Sequence, residues 1–369
     1  MKLGGSVPAS PPPSGALAAP TVRLLSGASM PLLGLGTWAC PPGVIQKAVD
    51  VALDHGYRHF DCAYFYQNEE AVGEVVRRRI KERGVRREDL FIVSKLWNIF
   101  HDPGDVRPAF LSSLRSWKLD HLDLYLMHSP MAFQNRGGEL LPLKNGLRLQ
   151  ADVDYLDTWK AMERLVEEGL VRAIGVSNFN VAQLQRLLGA CSIRPEVNQV
   201  ELHPYLTQTK LVEFCQSQKI VLTAYSPLGG PAPALPPPPD GPRKVLEAPT
   251  VKEIARRHGK QSAQVLTEAL DPTPGPIPPS PAILIRYHLQ RGICAIPKSA
   301  TPSRIVANAQ VTDFSLSPEE MEALGGLNRN QRAMPWDSFG IDTHRHYPFA
   351  DDEQTGPQSG GERPADHRA

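Results

Sequence analysis

Four residues whose side chains can together donate, tune and aim a proton fall at or just beyond the ends of strand-like runs: Asp61, Tyr66, Lys95 and His128. Asp61 closes the run 57–60, Lys95 closes 90–94, and His128 closes 122–127; Tyr66 follows Asp61 by five residues. A phenol can give a proton, a neighbouring ammonium favours its phenolate, a carboxylate can hold that ammonium, and an imidazole can orient a carbonyl oxygen and stabilise its developing charge. Taken singly, each is more often a solvated Tyr, a surface Lys or a core His. Repeated at successive strand ends, they match the way a parallel α/β barrel builds an active site.

The elements that must position them alternate. Strand-like segments lie at 32–37, 59–61, 90–95, 122–128, 172–177, 196–201, 220–225 and 292–297. Helix-like segments lie at 44–55, 69–83, 108–119, 155–168, 181–188, 209–218, 251–258 and 302–309, with apolar residues at helical spacing, as in Leu156, Trp159, Met162, Leu165 and Val166. Pro108 and Pro302 suit first-turn positions. Eight strands each followed by a helix predict an α/β fold, a (β/α)8 TIM barrel, with long loops at its C-terminal face. Segments 22–24 and 29–31, joined by Ser26-Gly27-Ala28, predict a β-hairpin ahead of the first strand. Gly34-Leu35-Gly36-Thr37-Trp38-Ala39 fits a dinucleotide-binding pattern, but Cys40-Pro41-Pro42-Gly43 follows where that motif needs a helix to open at once.

The bulk properties exclude several classes. The 369 residues are 41% hydrophobic and 21% charged, with a formal net charge of +1. Near-neutral charge implies no broad attraction to nucleic acid or anionic membrane. No apolar run reaches the roughly 20 residues of a membrane span, and residues 1–20 do not read as a secretory signal. Five widely scattered cysteines without a C-x-x-C pair fit reduced thiols and a cytoplasmic protein, and no metal site is expected. Proline is abundant, at 36 residues, clustering at 8–20, 231–242 and 272–281. The expected organisation is a Pro-rich disordered tail over 1–20, the barrel over 21–350 and a second disordered tail over 351–369.

Longer matches identify a family. The segments Met30-Pro31-Leu32-Leu33-Gly34-Leu35-Gly36-Thr37-Trp38, Gly56-Tyr57-Arg58-His59-Phe60-Asp61-Cys62-Ala63 and Leu122-Asp123-Leu124-Tyr125-Leu126-Met127-His128 resemble the aldo-keto reductases, family 1. So do Ile174-Gly175-Val176-Ser177-Asn178-Phe179, Thr223-Ala224-Tyr225-Ser226-Pro227-Leu228-Gly229 and Ile296-Pro297-Lys298-Ser299. That family includes aldose and aldehyde reductases, 1,5-anhydro-D-fructose reductases and hydroxysteroid dehydrogenases. The resemblance covers about 22–349, and the steps of 29 residues from Tyr66 to Lys95 and 33 from Lys95 to His128 fit it.

The resemblance implies a monomer that reduces small aldehydes and ketones with NADPH. Tyr66 would be the general acid, Lys95 would lower its pKa, Asp61 would hold Lys95, and His128 would orient the carbonyl. For the cofactor (NADPH/NADP+), it implies Thr37, Trp38 and Asp61, with Ser177, Asn178 and Gln199 on the carboxamide and Tyr225 stacked on the nicotinamide. Ser226 and Leu228 would cover the pyrophosphate, Lys298, Ser299 and Arg304 would hold the 2′-phosphate, and Asn308 would meet the adenine. The substrate pocket would comprise Trp38, Phe65, Trp97, His128, Ser129 and Phe133.

Three departures stand out. Ser129 follows His128 where many relatives carry Trp, which predicts an opened pocket. Ala307 stands where relatives often have an acid. Residues 267–284 form an 18-residue Pro-rich insertion whose end, Pro281-Ala282-Ile283-Leu284, resembles Ala263-Gln264-Val265-Leu266 before it. With Ser280 as cap and Pro281 as first helical residue, the second copy is expected to lead into the barrel helix at Ile285. Two other functions fit parts of the pattern: a non-catalytic cofactor-binding relative of the crystallin or channel-subunit type, and a barrel aldolase using Lys95 as a Schiff base.

Overall fold

The computed structural model describes residues 20–230, 244–260, 281–334, 336 and 338–350. Residues 1–19 of the expected tail 1–20, the tail 351–369, residues 231–243, and residues 261–280, with Ser280 and most of the insertion, lie outside the described residues.

The chain opens with an antiparallel hairpin, β1 (Thr21–Arg23) and β2 (Ser29–Pro31). Its Met30 and Leu24 join the core. The Ser26 N–H and hydroxyl both donate to Glu196 at 2.9 Å, which seats the turn at the amino end of the barrel strands. The alternation then begins with β3 (Leu35–Gly36), α1 (Pro42–Asp54), β4 (His59–Asp61), α2 (Glu69–Lys81), β5 (Phe91–Leu96), α3 (Pro103–Trp117) and β6 (Leu122–Met127). A small hairpin, β7 (Leu143–Lys144) and β8 (Leu147–Arg148), interrupts it. It resumes with α4 (Tyr155–Glu167), β9 (Val171–Ser177), α5 (Val181–Leu188), β10 (Val197–Glu201), α6 (Thr209–Ser217) and β11 (Val221–Tyr225). After α7 (Pro249–Arg257) and α8 (Pro281–Gln290) come β12 (Cys294–Ala295), α9 (Pro302–Ala309) and α10 (Pro318–Gly325).

β3, β4, β5, β6, β9, β10, β11 and β12 form one eight-stranded sheet whose neighbours are all parallel. Parallel bridges from Leu33 to Ala295 and from Gly36 to Lys298 join its two edges, so the sheet closes into a (β/α)8 barrel. β5 and β6 are buried along their whole length, as strands covered by helices outside and packed side chains inside must be. Gly175 marks the tightest approach: a Cβ there would meet the Val197 carbonyl at 2.6 Å and Leu126 at 2.7 Å.

The caps explain where helices begin. Asp154 accepts the Leu156 N–H at 2.9 Å, and Asn180 and Gln183 form a reciprocal capping box. Pro108 is a correction. It sits inside α3, not in a first turn, because Asp102 accepts the Gly104 N–H at 2.9 Å and Pro103 takes the first-turn place. α8 begins at Pro281 and runs through Ile285, so the second of the two similar segments leads into that barrel helix. Among the described residues no helix is long and apolar enough to cross a membrane, and no metal-binding group of His, Cys, Asp or Glu occurs.

Candidate active site

The barrel brings the four chemical residues together at the carboxyl ends of β4, β5 and β6. Lys95 is completely buried. Its Nζ donates to Asp61 Oδ1 at 2.6 Å, to the Cys62 carbonyl at 2.8 Å and to the Tyr66 hydroxyl at 3.3 Å. The second Asp61 oxygen accepts from Gln199 Nε2 at 2.7 Å. Asp61 is thereby held on both oxygens, and it holds the ammonium beneath the phenol. His128 stands across from Tyr66, with ring centroids 5.8 Å apart.

A second set of bonds runs along the neighbouring strand ends. The Ser177 hydroxyl donates to the Gln199 carbonyl at 2.8 Å, and Asn178 Nδ2 donates to the His128 carbonyl at 2.9 Å. Tyr225 donates to Asn178 Oδ1 at 2.9 Å, and Thr37 donates to the Asp61 carbonyl at 2.9 Å. Asn178 needs a positive φ, 61°, to turn its amide inward, a conformation Asn tolerates better than most residues.

These groups line a cavity of about 780 Å³. At one end Phe65 stacks on Trp97 with centroids 4.0 Å apart, and Trp97 meets His128 edge-on at 5.0 Å. Phe133 and Trp38 complete this aromatic wall. Ser226, Leu228 and Lys298 also line it.

A family model described as Aldo/keto reductase family matches residues 32–329. The chain belongs to the aldo/keto reductase family. Aldo-keto reductase family 1 member A1 of Homo sapiens is 45% identical over 86% of this chain and 91% of that protein. Aldo-keto reductase family 1 member A1 of Gallus gallus is 45% identical over 89% of this chain and 97% of that protein. The solved aldose reductase from Schistosoma japonicum is 41% identical, with a TM-score of 0.78, and the match covers 90% of this chain and 99% of that one.

Within this aldo/keto reductase, some expected site residues sit differently. Ser129 is fully buried and does not line the cavity; its hydroxyl accepts the Met131 N–H at 3.2 Å. Gln199 lines the cavity, but its amide is committed to Asp61. Ser299, Arg304 and Asn308 lie outside the cavity wall. Ser299 bonds locally to Thr301. Arg304 is exposed on α9, whereas Asn308 on the same helix is buried, and its Oδ1 has no partner among the described residues.

Other lining residues were not anticipated: Leu141, Arg148, Met334, Trp336 and Ile341. Arg148 is buried beside Phe133, with its guanidinium 5.5 Å from the ring centre. It rides on the β7–β8 hairpin, whose turn, Asn145-Gly146, has φ of 53° and 78°. An Asn-Gly pair is a strong signal for a two-residue hairpin, so this element was available to sequence reasoning.

Burial governs the electrostatics. It pushes the Tyr66 phenol well above its ordinary pKa, and Asp61 and Cys62 push it further the same way. These influences outweigh any downward pull from the Lys95 ammonium, whose contact with the hydroxyl is 3.3 Å. Burial, then Lys95 and His101, holds His128 well below 6.5, so its ring is neutral near pH 7.

The same burial gives the whole fold a pH signature. His101 and His288 are pushed down to about 3 by burial, with neighbouring cationic groups adding to it. Their folded pKa lies below the unfolded value, so the unfolded chain binds more protons as pH falls. Their contribution is complete above about pH 6.5 and is lost progressively toward pH 3. Urea unfolding at pH 5 is expected to give a lower stability than at pH 7, by on the order of 1–2 kcal/mol per histidine. Replacing His288 by Leu should flatten that difference; an unchanged slope would show that His288 is not one of its sources.

Proposed function

We propose that this chain reduces aldehydes and ketones to alcohols with NADPH, using Tyr66 as general acid. The observation that carries the reading is the buried Lys95 ammonium held between Asp61 and the Tyr66 hydroxyl, at 2.6 and 3.3 Å, behind a cavity that Asp61, Tyr66 and His128 line.

NADPH, when bound, would supply the hydride. Ser177, Asn178 and Tyr225 would hold its nicotinamide end, and Ser226 and Leu228 would cover the pyrophosphate. Lys298 and Arg304 would meet the 2′-phosphate, and the unsatisfied Asn308 Oδ1 suits the adenine amino group. The cavity, about 780 Å³ and lined by both His128 and Lys298, has room for a bound dinucleotide with its substrate beside the aromatic residues. Neutral His128 would direct an N–H at the substrate oxygen. The raised pKa of Tyr66 keeps its proton in place until that oxygen gains negative charge. As the proton leaves, Lys95 stabilises the phenolate left behind.

The test is oxidation of NADPH with 4-nitrobenzaldehyde by the full-length protein. Absence of turnover despite tight NADPH binding would instead favour a cofactor-binding relative without catalysis. The cofactor assignment has its own test: Lys298→Ala with Arg304→Ala should reduce the preference for NADPH over NADH at least tenfold, about 1.4 kcal/mol. An unaltered ratio of kcat/KM for the two cofactors would remove both residues from 2′-phosphate recognition. The reading is of a monomeric, cytoplasmic enzyme.

A further inference from the structure

Glu201 is a buried acid that the proposed proton transfer does not use. It ends β10 two residues beyond Gln199 and is completely inaccessible to solvent. One carboxylate oxygen accepts from His203 Nε2 at 2.7 Å and from the Ala333 N–H at 2.6 Å. The other accepts from the Met334 N–H at 3.2 Å. Nearby, the Tyr205 carbonyl takes the Arg329 and Gln331 N–H groups at 3.1 and 3.0 Å. Backbone amides of 329–334 are thus fastened to the segment that ends and follows β10.

What this segment carries makes the fastening functional. Met334 and Trp336 line the cavity. Ala333 lies directly against Gly230 in the loop after β11: a Cβ on Gly230 would come within 2.9 Å of the Ala333 Cβ. Gly230 also lines the cavity, at φ 68°. One buried carboxylate therefore sets where the C-terminal segment meets both the cavity and the loop expected to cover the cofactor. Charge-assisted bonds to backbone N–H groups are suited to this, because they fix the main chain and leave the side chains of Met334 and Trp336 free to form the wall.

We propose that Glu201 is a positioning residue that pins Ala333 and Met334, so that the C-terminal segment walls the substrate end of the cavity and sets substrate affinity rather than the rate of proton transfer. The inference rests on the reductase reading.

Its test uses full-length Glu201→Ala and Glu201→Gln. Amide exchange of 333–334 is expected to quicken at least tenfold in Glu201→Ala and to a smaller degree in Glu201→Gln, which keeps one acceptor oxygen. KM for 4-nitrobenzaldehyde should rise about tenfold in Glu201→Ala, with kcat changing less than twofold. Met334→Ala should also raise KM, and the double variant should be no worse than the more affected single, because both changes act on one wall. Unchanged exchange at 333–334, a fall in kcat with KM unaltered, or fully additive KM effects would each overturn the proposal. If Glu201→Ala does not fold, the same exchange and KM comparisons are made with Glu201→Gln. Should the wild-type protein lack turnover altogether, the reductase reading fails, while amide exchange still decides whether Glu201 holds the segment.

Discussion

Tyr66→Phe is expected to lower kcat for aldehyde reduction by about 10³-fold, within the 10²–10⁴ range of a positioned general acid. The substitution removes one oxygen from a half-buried ring whose hydroxyl meets Lys95 at a long 3.3 Å. Folding stability should therefore fall by less than about 1 kcal/mol. Binding of NADPH, followed by fluorescence titration, should barely change. The pH dependence sharpens the test. Because burial holds the phenol well above its ordinary pKa, the protonated form prevails throughout the neutral range. The rate of reduction should then be flat from about pH 6 to 8, whereas alcohol oxidation, which needs Tyr66 to accept a proton, should rise with pH. A Phe variant keeping more than one tenth of the wild-type kcat would show that another group supplies the proton.

The barrel was legible because its strands are short apolar runs separated by amphipathic helices, and Asp61, Lys95 and His128 mark three of their ends. What sequence could not supply was the pairing of distant polar groups. Gln199 reaches Asp61 across 138 residues, and Glu201 reaches Ala333 across 132. Nothing in local periodicity encodes those distances; barrel closure does. Ser129 shows a different limit: sequence places it next to His128, and only the fold shows its hydroxyl turned to the Met131 N–H at 3.2 Å. Strand alternation turns Lys95 toward Asp61, while Ser94 beside it donates to Glu69 at 2.5 Å. His128 lines the cavity and Lys95 reaches Asp61 and Tyr66 on its wall, whereas Ser94 and Ser129 turn elsewhere. The Asn145-Gly146 turn was readable locally, yet the buried Arg148 it delivers to the cavity depends on how the hairpin docks.

Lys95→Met is expected to be the most damaging single substitution for stability as well as chemistry. It removes a completely buried cation and leaves Asp61, equally inaccessible, without its counter-charge. Breaking a buried pair from one side costs about 3–5 kcal/mol. Catalysis should fall by about 10² or more, since Lys95 is the cation that meets the Tyr66 hydroxyl among the described residues. The two losses can be separated. In Lys95→Met with Asp61→Asn the orphaned charge is gone, and the side-chain amide can still accept from Gln199 at the position of the 2.7 Å bond. Stability should recover by at least half of the loss, while kcat stays low. Recovery of both together would mean that Lys95 serves the fold alone. The double variant also bears on Lys95 as a Schiff base: that role predicts borohydride trapping of a carbonyl compound on the wild-type lysine. Nζ donates to Asp61 at 2.6 Å, to the Cys62 carbonyl at 2.8 Å and to the Tyr66 hydroxyl at 3.3 Å, three bonds that an ammonium makes at once and a neutral amine, with two N–H groups and a lone pair, does not. The bonded geometry favours a lysine that works through Tyr66, so no trapped adduct is expected.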